Sequence, residues 1–294
     1  MIRPPANFDG YVVDAAQYAK WDRSIFQEMR DGGVTCVNAT IVYWESARET
    51  LSAIGKWNRL FEQNSDLIFL ARTADDIRRA KSIGKTAITF AFQHCSPIEE
   101  DIDLVEIMHT LGVRFMQLSY NNQSLCAAGC YEEEDPGITR FGRQVIKEMN
   151  RVGMVVDMSH SGERSTFHAI ELSERPITIT HANPKSWQPA LRNKSDDLLK
   201  ALSESGGMLG FSMYPFHLKN GPKCSLPEFC EMIAATAELM GIDSIGIGSD
   251  LVQGHGNEVV EWMRNGRWSK EMDFGEGSSD NAGWPSPVEW FSGN

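Results

Sequence analysis

Residues 153–183 read GMVVDMSHSGERSTFHAIELSERPITITHAN. Two apolar runs, 154–158 and 176–180, each stop at a histidine: Ser159-His160 ends the first and Thr180-His181 the second. Between them, residues 162–173 set Phe167, Ile170 and Leu172 among Glu163, Arg164 and Glu171, the mark of an amphipathic helix. The stretch is therefore a strand–helix–strand unit. Parallel strands need such a crossover, and strands covered on both faces are apolar throughout. In parallel α/β folds the chemistry gathers at the carboxyl ends of the strands. Two histidines at consecutive strand ends are thus expected side by side on the functional face. Neutral imidazole is a common metal ligand and proton carrier. Taken singly, either histidine reads as a strand cap.

The same rhythm runs outward in both directions. Strands are expected at 11–16, 34–42, 67–71, 86–94, 113–120, 208–213 and 244–250, and helices at 22–32, 47–64, from Thr73, 98–111, 141–151, 195–205 and 225–240. The count approaches eight strand–helix units with one short extra strand. That pattern predicts an α/β fold, a (β/α)8 TIM-type barrel. A doubly wound open sheet is the alternative, weakened by DAAQYA after the first strand where a Gly-x-Gly-x-x-Gly turn would stand. Residues 1–294 read as a single barrel domain. Residues 251–294 then form a lid or arm after the last strand, with a short helix at 258–264 and Trp284, Trp290 and Phe291 in a Gly-, Ser- and Pro-rich tail. The polar segment 121–139, with Cys126 and Cys130, is long enough to be functional.

The 294 residues are 41% hydrophobic and 23% charged, ample material for a core. A net charge of −12 with no basic block argues against nucleic acid and against an anionic membrane surface. The six cysteines form no paired C-x-x-C motif, and MIRPPANFDG has no apolar signal segment. A reducing, cytoplasmic location is the expectation. A homo-oligomer is left open, with the aromatic tail as one contact.

Across the strand ends the sequence places Ala16, Gln93-His94, Tyr120, His160, His181, Tyr214 and Asp250. Two histidines and an aspartate converging on one mouth can hold a divalent cation and activate water. Only one of Gln93 and His94 can face inward, because side chains alternate along a strand. His217 and His255 lie in loops that could line the same mouth.

DMSH (157–160), THANP (180–184), LRNKSDDLL (191–199) and GIGSD (246–250), in that order, resemble the renal (membrane) dipeptidase family, peptidase family M19 of the amidohydrolase superfamily. The resemblance runs through nearly the whole chain. It implies a barrel with a binuclear zinc site that hydrolyses dipeptides. Carried over position by position, it implies that His160 and His181 hold the second zinc. It makes Asp250 a ligand of the first zinc and a proton carrier, and gives Arg192 the substrate carboxylate. Three places depart. The family's D-G-H-x-D is here Asp14-Ala15-Ala16-Gln17-Tyr18, so two ligands of the first zinc are gone. The bridging glutamate falls at or beside Gln93, and the substrate-polarising histidine at Tyr120.

The resulting expectation is a divergent dipeptidase-like hydrolase with a reduced metal site. His160, His181 and Gln93 are its metal ligands, Asp250 its catalytic base, and Arg192, Tyr120 and Tyr214 its substrate contacts. It would hold at most one zinc, or another divalent metal, and act on a small carboxylate-bearing amide or dipeptide. The alternatives are a metal-free pseudoenzyme or binding protein on the same barrel, and a lyase or isomerase.

Overall fold

The structure is a computed structural model and describes residues 9–267 and 287–291. Strands and helices alternate from the start: β1 (Val13–Ala19), α1 (Arg23–Asp31), β2 (Cys36–Val42), α2 (Ala47–Gln63), β3 (Ile68–Leu70), α3 (Ala74–Ile83) and β4 (Thr86–Phe92). Next come α4 (Asp103–Thr110), β5 (Val113–Gln117), α5 (Arg140–Val152), β6 (Val155–Asp157), α6 (Glu163–Leu172), β7 (Thr178–Ala182), α7 (Asp196–Glu204) and β8 (Met208–Phe211). The described chain closes with α8 (Leu226–Met240), β9 (Ile245–Ile247), β10 (Leu251–Gln253) and α9 (Asn257–Asn265).

The helices start where the sequence supplies caps. Ser46 with Glu49, Thr73 with Asp76 and Ser225 with Glu228 form capping boxes at α2, α3 and α8. At the end of α5, Gly153 takes φ +86°, a left-handed turn open to glycine, and sends the chain into β6.

All strand pairings are parallel, in the order β10-β1-β2-β4-β5-β6-β7-β8-β9, with β3 beside the first half of β4. The run 245–253 closes the sheet: its first half pairs with β8 and its second with β1. In the break between the halves, Ser249 N donates to Asp14 Oδ1 at 2.8 Å and Asp250 N to Ala16 O at 2.9 Å. Eight positions therefore go round: β1, β2, β4 to β8, and the β9/β10 run. Every residue of β2, β4 and β7 is buried, as strands covered on both faces require.

On β4, Ile88, Phe90 and Phe92 pack outward in the main core, where Phe90 lies 5.5 Å from the Trp57 ring of α2. The alternate residues face the barrel interior. There Thr89 bonds Asn38 and Gln93 bonds Thr40, both partners being on β2. Gln93 is thus the inward member of its pair. His94 turns to local work, its Nδ1 accepting from Ser96 N at 3.0 Å and its ring lying 4.9 Å from Trp44.

Two expectations about edges change. The first strand does not end at Ala16: Tyr11 and Val13 are exposed, and pairing with β10 carries β1 on to Ala19. Residues 251–253 are not the start of an arm but the strand that closes the barrel. Segment 121–139 is packed rather than open, with Cys126, Ala127, Ala128 and Cys130 buried. Helix α9 lies against the mouth: Trp44 Nε1 donates to Met263 O at 3.1 Å, and the Arg264 guanidinium stands 5.8 Å over the Tyr214 ring. Of the tail, Trp290 is pinned to Cys224 O at 2.8 Å and packs on Phe229, so this part is an arm on the barrel wall. Trp284 lies outside the described residues.

Candidate functional site

His160 and His181 leave β6 and β7 at the same end of the barrel, and both are buried. Their Nε2 atoms lie 2.9 Å apart. Hydrogen-bond partners fix the tautomer of each ring. His160 Nδ1 is 2.6 Å from the amide oxygen of Asn121, an acceptor, so that nitrogen carries the proton. His181 Nδ1 is 2.8 Å from Thr180 Oγ1. The Thr180 hydroxyl already donates to Asp157 Oδ2 at 2.5 Å, so it can only accept from His181. Asp157 Oδ1 takes the remaining donors of the turn: Ser159 N, Ser159 Oγ and Thr180 N. Both Nε2 atoms therefore present lone pairs. Burial, aided by the nearby Arg192 charge, pushes both imidazoles well below their usual range, so they are neutral. Two neutral lone pairs facing each other at this distance repel unless a cation lies between or beside them.

Asp250 completes the cluster. Its Oδ1 is 3.8 Å from His181 Nε2. Its backbone takes φ +58°, unusual for a residue with a Cβ and a form of strain that gathers at functional sites. Burial pushes the carboxyl up to about 7, with Arg192 pulling the other way and Asp14 and Asp157 adding to the rise.

The histidine pair offers two nitrogens on rings whose far sides are tied to oxygen acceptors, as the rings of metal-bound imidazoles usually are. Gln93 Oε1 is buried without a hydrogen-bond partner, while its Nε2 is spent on Thr40. The positions that the resemblance gives to the first zinc hold Ala16 and Tyr18, neither of a metal-ligand type usual for zinc, and Tyr18 stacks on His255 at 4.7 Å. Among the described residues, no group of three or more His, Cys, Asp and Glu is arranged to hold a metal.

The other expected residues fall around this centre. Tyr120 stacks on His160, with ring centroids 3.9 Å apart. Tyr214, beyond β8, has a buried hydroxyl with no hydrogen-bond partner, and its ring lies 4.8 Å from His217. Arg192 is buried behind the histidines. Its Nη1 donates to Ser159 O and its Nη2 to His181 O at 3.0 Å, so it braces both histidine turns. Cys130 N donates to His160 O at 2.9 Å, which ties segment 121–139 to the site.

Sequence reasoning missed Asp157, Thr180 and Asn121, which set the tautomers, although DMSH and THAN already carried two of them. It also missed Tyr43, which follows β2 and packs edge-on against Tyr18 and Tyr120. Lys194 was a third omission: its Nζ donates to Ser161 O at 2.6 Å, and burial lowers it to about 8.

Residues 11–266 match the family model described as membrane dipeptidase (peptidase family M19). Dipeptidase tcpJ of Claviceps purpurea is 29% identical over 212 residues, which are 71% of this chain and 50% of that protein. This chain spans about half the length of the curated relatives it matches. A solved amidohydrolase from Pseudomonas aeruginosa superposes with a TM-score of 0.86 at 40% identity, covering 87% of this chain and 79% of that one. A metallo peptidase from Rhodobacter sphaeroides, solved with a phosphinate mimic of the dipeptide L-Ala-D-Ala, shares the fold at 19% identity and a TM-score of 0.74, covering 82% of this chain and 86% of its own.

Proposed function

Because this chain belongs to the membrane dipeptidase family, peptidase family M19, we propose that it is a divergent dipeptidase-like hydrolase of a small carboxylate-bearing amide or dipeptide. The observation that carries the proposal is the pair of neutral Nε2 lone pairs 2.9 Å apart, a site that asks for a cation. His160 and His181 would hold one divalent metal, with the orphaned Gln93 Oε1 as a third donor. Zinc suits two imidazoles. When bound, the metal would supply Lewis acidity that eases deprotonation of water.

The protein's own groups do the rest. Asp250, pushed up to about 7, is matched to accept a proton from water and return it to the leaving amine near neutral pH. Arg192 adds fixed positive charge behind the histidines, which favours a substrate carboxylate at the mouth. The Tyr214 hydroxyl offers that substrate a hydrogen bond. No helix among the described residues is long and apolar enough to cross a membrane. Six free cysteines, five of them buried, favour a reducing compartment, and we place the protein in the cytoplasm.

The test is elemental analysis of the purified protein joined to hydrolysis of a panel of dipeptides and N-acyl amino acids. One metal per chain is expected, with activity lost to a chelator and restored by zinc. A folded, zinc-supplied protein that cleaves nothing in the panel would refute the hydrolase; a protein that takes up no metal would be a binding protein on the same barrel.

A further inference from the structure

Three phenols from three separate strands meet at the mouth beside Asp250. Tyr18 lies on β1, Tyr43 directly follows β2, and Tyr120 lies just beyond β5. Their rings pack edge to face, Tyr18 to Tyr43 at 5.3 Å and Tyr43 to Tyr120 at 5.5 Å. Tyr43 and Tyr120 are buried, with Trp44 and Met263 in the same cluster. None of the three hydroxyls has a hydrogen-bond partner among the described residues. Three phenols whose rings touch in sequence, with hydroxyls that no described residue engages, form a polar lining that a ligand can complete.

The chemistry of the lining is specific. A phenol donates one short hydrogen bond from a rigid ring, and donors preset in a water-poor site stabilise charge that develops on an oxygen. Burial raises all three phenols, so they remain protonated donors across the working range. Two of them, Tyr18 and Tyr120, stand where the resemblance places a metal ligand and the substrate-polarising histidine.

We propose that the hydroxyls of Tyr18, Tyr43 and Tyr120 form an oxyanion site that receives the substrate's scissile carbonyl oxygen, in place of the electrophilic groups this chain lacks. The inference deepens the hydrolase proposal and rests on it. Water adds to the carbonyl carbon, and the carbonyl π pair moves onto its oxygen, where the phenols meet the new charge. One water proton goes to Asp250. Collapse re-forms the carbonyl and breaks the C–N bond, and the departing nitrogen takes that proton from Asp250. The products are one carboxylic acid and one amine, and no other reactant is consumed.

The test uses the zinc-loaded protein and two uncleavable probes of one dipeptide: a phosphinate isostere of Ala-Ala, tetrahedral and anionic at the scissile position, and a ketomethylene isostere, planar and neutral there. Affinities are measured by calorimetry for wild type, Tyr18→Phe, Tyr43→Phe and Tyr120→Phe. Each variant keeps its ring, and circular dichroism checks the fold; if one fails to fold, the other two decide. We expect phosphinate affinity to fall tenfold or more in each folded variant, with ketomethylene affinity changed less than threefold. Any phosphinate–metal attraction is common to all four proteins and cancels. Equal losses for both probes, no loss for either, or a wild type that binds neither would overturn the inference. Wild type that hydrolyses dipeptides while phosphinate binding ignores the phenols sinks this inference alone. Wild type that hydrolyses nothing yet selects the phosphinate through the phenols sinks hydrolysis alone.

Discussion

Asp157→Asn should switch the tautomer of His181 without unfolding the protein. In the wild type, Asp157 Oδ1 accepts from Ser159 N, Ser159 Oγ and Thr180 N, while Oδ2 accepts only from Thr180 Oγ1. Asparagine can keep an oxygen at the first position and so retain three of the four bonds. Its NH2 then faces Thr180 Oγ1 and donates where the carboxylate accepted. The threonine hydroxyl loses its acceptor and turns to His181 Nδ1, which lies 2.8 Å away. The proton of His181 then moves to Nε2, because a hydrogen bond to a charged group, worth about 1.5–3 kcal/mol, no longer holds it on Nδ1. An Nε2–H cannot ligate. Loss of such an outer partner costs roughly 10–100-fold in metal affinity. Stability should change little, since burial already disfavours the Asp157 charge and the amide carries none. Long-range 15N–1H NMR correlations report the imidazole tautomer, and zinc calorimetry reports the affinity. A folded variant in which His181 keeps its proton on Nδ1 and zinc binds within twofold of wild type would refute the chain of reasoning from Asp157 to the lone pair.

Five further outcomes are expected. The Asp250 carboxyl, raised from 3.8 to about 7, must be ionised to act as base, so kcat/KM should climb as pH rises through about 7 and level off above it, and Asp250→Asn should abolish turnover. Because the folded state holds this proton more tightly than the unfolded state, metal-free wild type should lose stability as pH rises from about 4 to about 7, a slope that Asp250→Asn flattens in denaturant titrations. Arg192→Lys cannot serve Ser159 O and His181 O from one planar fork, so it should raise KM roughly tenfold and cost about 1–3 kcal/mol in urea melts. Gly129→Ala would set a Cβ 1.9 Å from the backbone O of Asn121, shifting the residue whose side-chain Oδ1 orients His160; a destabilisation of about 1–3 kcal/mol with weaker zinc binding is expected, and an unchanged melt would contradict the packing. The triple variant Ala16→His, Tyr18→Asp and Gln93→Glu should bind a second zinc by calorimetry, and a folded triple variant that binds no more than wild type would show that β1 does not border the metal pocket.

The barrel was legible in the sequence because strand and helix periodicity are local properties. Apolar runs such as TAITFAF and TITHA record burial on both faces, and capping pairs such as Ser225 with Glu228 mark where helices begin. Locality also made His160 and His181 readable, since parallel strands joined by one helix must end side by side. What depended on distant contact was not legible. Nothing near Asp250 in sequence announces that residues 245–253 split between β8 and β1, or that Asp14, 235 positions away, holds Ser249. The resemblance gives Arg192 the substrate carboxylate, but only the fold shows its guanidinium donating to two carbonyls behind the histidines. Tyr43 carries no motif; only barrel closure sets it between Tyr18 and Tyr120. The tautomers lie furthest from the sequence, because a proton's place on an imidazole follows from which acceptors remain once every neighbouring hydroxyl has spent its own hydrogen. That count exists only when Asp157, Thr180 and Asn121 have been brought together by the fold.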